Sequence, residues 1–172
     1  ASTSAAGALQ MPRTIITIFL PTIAGVWVGK KASNAWKAMV VGTLFVAVPM
    51  AVMGFTTPST SIIIYFVALT IKGIAESYRS VSITPSAQAT LQPADMGVGT
   101  SLVNFVNSLA NTIAAAVFGA AYNLSTAADP TNVAYIQNGV NSVFRLAAIV
   151  AVIGLVLVIF VVRPKMTAKA AE

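Results

Sequence analysis

The stretch SIIIYFVALTIKGIAESYRS, residues 61–80, decides the class of fold, because a run apolar enough to enter a bilayer ends in three charged side chains. Lys72, Glu76 and Arg79 lie here, although the whole chain has only 10 Lys and Arg and 4 Asp and Glu residues. A charge at the centre of a membrane helix costs about 2.5–3.5 kcal/mol, whereas a large apolar residue returns only about 0.3–0.6 kcal/mol. This helix therefore needs protein neighbours or water along its charged side.

The three charges share one face of the predicted helix. Lys72 and Glu76 are four residues apart, and Glu76 and Arg79 are three apart, so the carboxylate can contact both cations. Three interpretations of this face stay open. It forms a structural ion-pair network, it lines a substrate or proton pathway, or the helix leaves the membrane early and its last two charges extend to the interface.

The composition of the rest of the chain is that of a membrane protein. The chain is 57% hydrophobic and 8% charged, with a mean hydropathy of +0.85, whereas a soluble domain carries about 25% charged residues. The net charge is +6, but the cations gather in short segments between apolar runs, which argues against nucleic-acid binding. There is no Cys or His, and we expect no metal site, no cofactor and no enzyme activity.

Five stretches are long and apolar enough to be membrane-spanning helices, each of which needs about 20 residues. None has the alternating pattern of a β-barrel strand. The predicted fold is an all-α membrane protein, a single transmembrane helical domain over residues 1–172. The predicted spans cover approximately residues 8–28, 38–55, 59–89, 98–122 and 139–162.

The charges between the spans predict their direction across the membrane. Lys30, Lys31 and Lys37 follow the first span, and Arg163 and Lys165 follow the last. The links after the second and fourth spans carry almost no charge. Because basic links stay in the cytoplasm, we expect a multi-pass protein of the cell membrane, with its N-terminus outside and its C-terminus in the cytoplasm.

The fourth predicted span is the most polar apart from the charged one. Asn104, Asn107 and Asn111 fall on one helical face, and Ala115 and Gly119 form a small-xxx-small pair. Such small residues let membrane helices approach closely. The asparagines either form hydrogen bonds between helices or line the polar wall of an aqueous cavity, and the sequence leaves both interpretations open.

Four other side chains receive structural interpretations. Trp27 and Trp36 flank the basic link and are expected to anchor the helices at the membrane interface. Arg13, in the outer half of the first span, is interpreted as an interface residue rather than a substrate contact. Asp95 is expected to cap the fourth span.

Three stretches together resemble the major facilitator superfamily. GVWVGKKASNAWKAM, residues 25–39, resembles the basic loop motif of that family; QATLQPADMGVGTSLVNFVNSLANTIAAAVFGA, residues 88–120, resembles its acid-glycine-helix run; and VVRPKM, residues 161–166, resembles its basic tail. Gly29 replaces the acid of the loop motif, and Asn107 stands where Arg is common. The matching residues are Gly25, Lys30, Lys31, Lys37, Gln88, Pro93, Asp95, Gly97, Asn104, Phe105 and Leu109.

The chain thus resembles the C-terminal half of such a transporter, most closely in the fourteen-span drug:proton antiporter group. The resemblance implies a major-facilitator-type bundle in which the first, third and fourth spans line a central cavity and the second and fifth are more peripheral. It implies proton-coupled efflux of drugs or other small amphipathic molecules, with a preceding N-terminal half as partner. Lys72, Glu76, Arg79, Asn104 and Asn107 are the candidate pathway residues. The alternatives are a transporter for a different solute and a membrane scaffold or assembly subunit that transports nothing.

Overall fold

The computed structural model describes residues 3–31, 33–88 and 91–169, and the side chains of 3–6 and 168–169 are not part of that description. Within these ranges the chain is helical and contains no strand. A 3-10 turn, Pro93–Asp95, precedes α5, and a π-helical segment, Val158–Val162, joins α6 to α7. The α-helices are α1 (Thr3–Gly29), α2 (Ser33–Met53), α3 (Ile62–Ser80), α4 (Ile83–Gln88), α5 (Met96–Thr126), α6 (Val133–Leu157) and α7 (Arg163–Lys169).

The prediction of an all-α fold is confirmed, and its apolar helices fit a membrane protein, but the number of apolar spans differs. Four helical stretches of the described chain are long and apolar enough to cross a membrane: Gly7–Gly29, Ser33–Met53, Pro93–Thr126 and Val133–Thr167. They correspond to the first, second, fourth and fifth predicted spans. Helix α3 is not among them because it places three charges in 19 residues, so four of the five predicted spans, and not all five, are apolar enough by composition.

The third predicted span, residues 59–89, is not one continuous helix. Helix α3 ends at Ser80, the chain turns at Val81 and Ser82, and α4 then runs only from Ile83 to Gln88; residue 89 lies outside the described residues. Pro85 accounts for the break, because it has no N–H to donate to the carbonyl four residues earlier. The Ser82 hydroxyl instead donates to the Tyr78 carbonyl oxygen at 2.7 Å.

The long helices pack in the order α1, α3, α2, α6, α5, with each against the next. Helix α2 therefore packs between α3 and α6, and Met50 and Met53 of α2 form a buried cluster with Ala68 of α3. Helix α5 contacts only one long helix of the described chain, α6. Most of the α5 surface is left exposed, including the face that carries its asparagines.

The close contact between α5 and α6 is at Gly139 and not at Gly119, the glycine of the predicted small-xxx-small pair. A Cβ atom at Gly139 of α6 would lie 2.8 Å from the Tyr122 ring and 2.9 Å from the Thr126 methyl group of α5. A Cβ at Gly119 would meet no atom within 4 Å. Thr126 is buried in consequence, and the contact at Gly139 holds the end of α5 against the beginning of α6.

Polar side chains of α6 bind the C-terminal end of α2. Asn141 donates to the Thr56 carbonyl oxygen at 2.7 Å, and Gln137 donates to the Thr56 hydroxyl at 3.1 Å. Arg145 donates to the Gly54 carbonyl oxygen at 2.7 Å and lies over the Phe55 ring. These three side chains recur every four residues on one face of α6, and they bind the segment that directly follows the last residue of α2, Met53.

Aromatic side chains join the helices at the opposite end. Trp27 of α1 meets Tyr78 of α3 edge to face, with ring centroids 6.1 Å apart, and Asn34 donates to the Trp27 carbonyl oxygen at 2.7 Å. The Arg163 guanidinium lies over the ring of Trp36, 5.0 Å from its centroid. The start of α2 and the end of α6 therefore lie at the same end of the bundle, as the charge distribution predicts for the two basic segments.

The link between α5 and α6 is ordered by its one acid. Asp129 accepts a hydrogen bond from the Thr131 hydroxyl at 2.8 Å and another from the Thr131 backbone N–H at 3.0 Å. These two hydrogen bonds hold the pKa of Asp129 below its ordinary value, and the bond from the Thr131 hydroxyl has the larger effect. Asn132 then caps α6 by accepting from the Ala134 N–H at 2.9 Å.

Candidate functional site

The charged face of α3 lies against α1 at a point where the two backbones approach closely. A Cβ atom at Gly73 would lie 3.0 Å from the Arg13 Cα and 3.1 Å from the Arg13 carbonyl oxygen. Since a hydrogen atom occupies this position instead, α1 can approach α3 at Arg13. The approach brings the Arg13 side chain beside Glu76, one turn further along α3.

Arg13 and Glu76 form a two-point ion pair between these helices. The Arg13 Nε donates to Glu76 Oε2 at 2.9 Å, and Arg13 Nη2 donates to Oε1 at 3.0 Å. Lys72 lies on the same carboxylate, with its Nζ 3.7 Å from Oε1. The Arg13 and Glu76 side chains are about one-third exposed. This fork-shaped pairing is stronger and more directional than a single charge contact.

The structure corrects the roles that the sequence predicts for Arg13 and Arg79. Arg13 was predicted to be an interface residue of the first span. It is instead an ion-pair partner of Glu76. Arg79 forms no ion pair with Glu76 in the described chain, although their spacing allowed one. An ionisable residue inside a predicted span signals a partner, and that signal was present at Arg13. Its partner was not identifiable because the two residues are 63 positions apart.

Arg79 faces away from the ion pair. A Cβ at Gly42 of α2 would lie 2.7 Å from Arg79 Cγ, so the aliphatic part of the side chain packs against the middle of α2. Arg79 also borders a groove of about 190 Å³ between α3, α4 and α5. Four of the five residues that line it are polar, and they are Arg79, Ser80, Thr84 and Asn107, with Ile83 as the fifth.

The asparagines of α5 divide between this groove and the open surface. Asn107 lines the groove with Arg79, whereas Asn104 does not. Asn104, Asn107 and Asn111 are all exposed and make no hydrogen bond to any described residue. The interpretation that these amides form hydrogen bonds between the described helices is therefore wrong. Their polar face remains available to water, a ligand or another protein surface.

The residues of the predicted cytoplasmic loop motif occupy one end of the bundle. Gly25 faces Val81, whose Cγ1 would lie 3.8 Å from a glycine Cβ. Lys30 and Lys31 are exposed, and the Lys37 Nζ lies 5.8 Å from the Trp36 ring centroid. None of these four residues contacts the charged cluster of α1 and α3, so the two predicted sites are separate.

The 3-10 turn before α5 gives a further correction. Asp95 stands at the N-cap position of α5, as predicted, but its side chain makes no capping hydrogen bond. Gln88 instead ties this region together by donating to the Thr100 hydroxyl at 2.8 Å. No group of three or more His, Cys, Asp or Glu side chains that could hold a metal ion occurs in the described part of the chain.

The chemistry available at the two neighbouring sites is ion pairing and hydrogen-bond donation. Three cations, Arg13, Lys72 and Arg79, accompany one carboxylate, Glu76, and the groove adds hydroxyl and amide groups. Such groups can bind polar or charged solutes, exchange ion-pair partners, or fix helices to each other.

Comparison of the chain with protein-family models, with curated proteins and with solved structures finds no match in any of the three.

Proposed function

We propose that this chain is part of a secondary active transporter of the major facilitator type. Its activity would be the proton-coupled efflux of drugs or other small amphipathic molecules by alternating access. The observation that carries the proposal is the shared groove of Arg79 and Asn107, which places a cation and an amide from two helices beside each other. Polar groups inside membrane helices are costly and mark pathways for solutes or ions.

The position of the groove along α2 and α5 supports this proposal. Arg79 lies in the last turn of α3, but its side chain packs against Gly42, which is near the middle of α2. Asn107 likewise lies well inside the 31 residues of α5. Secondary transporters bind their substrates near the middle of the membrane, between two helical bundles that rock against each other. In this proposal, the exposed face of α5 and the groove beside it form one wall of such a cavity.

The partners in this proposal are the lipid bilayer, an N-terminal half of the transporter, a small-molecule substrate and protons. The exposed amides of Asn104, Asn107 and Asn111 supply donors and acceptors for the facing bundle or for the substrate. Lys72 and Glu76 complete the proposed pathway. The ion pair with Arg13 gives the carboxylate a partner that it could release when its surroundings change between the two transport states.

A specific observation also favours the alternative function, a membrane scaffold that transports nothing. The two-point pair of Arg13 and Glu76 joins α1 to α3, which is what a structural ion-pair network would do. In that case the charged face holds the helices together, and the polar face of α5 docks a partner bundle. The two functions differ in whether polar side chains in the groove affect solute movement or only assembly.

Reconstitution of the protein in liposomes with an imposed pH gradient tests the proposal. Substrate-driven proton movement is measured with a pH-sensitive dye while a panel of cationic amphiphilic drugs is added. Removing a hydrogen bond to a charged group costs about 1.5–3 kcal/mol, so Arg79→Gln should lower the apparent affinity about tenfold or more. Asn107→Leu should act in the same direction. Lys31→Gln, which removes an exposed cation outside the groove, should change it less than about twofold.

Four outcomes separate the functions. Absence of drug-driven proton movement in the wild-type protein, with correct membrane insertion, contradicts drug:proton antiport. Equal transport in Arg79→Gln and wild type contradicts the groove as a pathway. For Glu76→Gln, unchanged proton coupling excludes this carboxylate as the proton carrier. Normal transport per inserted molecule with less inserted protein assigns Glu76 to the structural network.

A further inference from the structure

Three side chains form a cationic cluster at the end of the bundle that carries the basic segments. Lys37 and Arg163 both lie over the ring of Trp36, with Nζ and Cζ at 5.8 Å and 5.0 Å from its centroid. We propose that this Trp36 cluster (Trp36, Lys37 and Arg163) binds the phosphodiester headgroup of an anionic phospholipid. The proposal is independent of transport, because the cluster is separate from the charged face of α3.

The backbone at the end of α6 positions Arg163 for this contact. Residues Val158–Val162 are π-helical, and the Arg163 N–H bonds to the Val158 carbonyl, five residues earlier. A π segment adds one residue to a turn and so changes the direction in which the following side chains point. Such segments recur at functional sites. Here the altered turn ends at the residue that lies over Trp36.

Within the described residues the cluster has no counter-ion. Lys37 and Arg163 take part in no salt bridge within the described residues, and Glu76 is occupied by Arg13. The first turn of α2, which contains Trp36, has no acidic residue. The partial positive charge at the start of a helix adds to that of the two side chains. An anion bound at Lys37 and Arg163 would gain charge-assisted hydrogen bonds from these two side chains.

The position of the cluster favours a lipid over a soluble anion. Trp36 and Lys37 are the fourth and fifth residues of an apolar helix. Trp27 and Tyr78 lie at the same end of the bundle, as aromatic residues do at a membrane interface. Phe160, one turn before Arg163, is 72% exposed and offers an apolar surface to an acyl chain. Basic pockets between membrane helices at this depth bind anionic headgroups.

The test uses Trp36 itself as the reporter. The chain has two Trp residues, so Trp27→Phe leaves Trp36 as the only one. Its fluorescence is followed in neutral detergent while short-chain phosphatidylglycerol, phosphatidylcholine or inorganic phosphate is added. We expect saturable binding of phosphatidylglycerol, weak binding of phosphatidylcholine and weak binding of inorganic phosphate. Lys37→Gln and Arg163→Gln should each weaken phosphatidylglycerol binding about fivefold.

The matched control is the double variant Lys30→Gln, Lys31→Gln, which removes two exposed cations from the same end of the protein. It should weaken binding less than about twofold, because neither lysine contacts Trp36. An equal loss in this control would show diffuse attraction and overturn the site. Equal affinity for phosphatidylcholine would exclude the anionic headgroup, and equal affinity for inorganic phosphate would exclude a lipid as the ligand.

A second measurement requires only Trp27→Phe and stays informative if the charge variants fail to fold. Affinity for phosphatidylglycerol should fall as NaCl rises from about 0.05 M to about 0.5 M, because the screening length shortens several-fold over this range. Affinity for phosphatidylcholine should not change. Salt-independent binding of phosphatidylglycerol would contradict recognition by Lys37 and Arg163.

Discussion

Arg13 of α1 and Glu76 of α3 are joined by two hydrogen-bonded charge contacts, at 2.9 and 3.0 Å. Gly73 makes this possible, because its missing side chain lets the α1 backbone approach α3 one turn before the carboxylate. Lys72 lies 3.7 Å from the same carboxylate. The least apolar of the long helices, α3, is thus attached to its neighbour through the charge that makes it costly to place in lipid.

The free energy of this pair is measurable in a double-mutant cycle. Exposed pairs contribute about 0–1 kcal/mol, whereas breaking a buried pair costs about 3–5 kcal/mol. Because Arg13 and Glu76 are about one-third exposed, we expect Arg13→Gln and Glu76→Gln to show a coupling energy of about 1–3 kcal/mol. The measurement is unfolding by SDS titration in mixed micelles, followed by far-UV circular dichroism.

The comparison cycle pairs Glu76→Gln with Arg79→Gln, whose cation is on the same helix but makes no ion pair with the carboxylate. Its coupling energy should be clearly smaller. A coupling between Arg13 and Glu76 no larger than this reference would mean that the two-point pair does not hold α1 to α3.

Gly73→Ala tests the close approach that precedes the ion pair. A Cβ here would lie 3.0 Å from the Arg13 Cα, so α1 must shift, at a cost of about 1–3 kcal/mol. Gly119→Ala is the matched control, since nothing lies within 4 Å of a Cβ there, and alanine favours a helix by up to about 1 kcal/mol. The same SDS titration should show opposite signs for the two variants. Equal stabilisation by both would contradict close packing at Gly73.

Asn141→Leu tests the contact between α6 and the end of α2. Asn141 is 4% exposed and donates to the Thr56 carbonyl oxygen at 2.7 Å. Leucine would leave the buried Thr56 groups without this partner, at a cost of about 1–3 kcal/mol. Asn111→Leu makes the same change on an exposed face of α5 and should cost less than about 0.5 kcal/mol. Similar losses at both positions, in thermal unfolding in detergent, would refute the importance of this contact.

The length and composition of the apolar stretches were sufficient to predict the four apolar helices, because membrane helices satisfy their backbone hydrogen bonds within one segment. The four apolar helices follow directly from that rule. The break at Val81 and Ser82 was not predicted. Pro85 has no N–H to donate to the Val81 carbonyl oxygen, and the helix is interrupted there. A proline in a membrane helix does not always interrupt it: Pro12, Pro21 and Pro49 all lie inside helices here.

The contacts between helices were much less predictable. Lys72 and Glu76 were recognised as neighbours because they lie on one helix, whereas the Arg13 partner depends on how α1 packs. Arg79 was placed with Glu76 by its spacing, but packing against Gly42 turns it toward Asn107. The Gln137, Asn141 and Arg145 stripe of α6 could have been found from its four-residue spacing. Its target, the end of α2, is known only from the fold.

Helix α3 should cross the membrane although its composition sets it apart from the four apolar helices. Its 19 residues span about 28 Å at 1.5 Å per residue, close to the roughly 30 Å of a bilayer core. Its first turns pack beside Val48 and Val52 near the end of α2, and Tyr78 near its other end meets Trp27 near the end of α1. The helix therefore runs from one end of the bundle to the other.

Cysteine labelling distinguishes a crossing α3 from one that does not cross. The chain has no native Cys, so Lys31→Cys, Thr57→Cys, Gln92→Cys, Asp129→Cys and Lys165→Cys each give one reactive site. If α3 crosses, positions 31, 92 and 165 should react with a membrane-impermeant maleimide from one side, and positions 57 and 129 from the other. If α3 stays on one side, position 92 should be labelled from the same side of the membrane as position 57. Position 165 should then be labelled from the side opposite to position 31. The second pattern conflicts with the contact of Arg163 with Trp36, and observing it would overturn both the crossing and that packing.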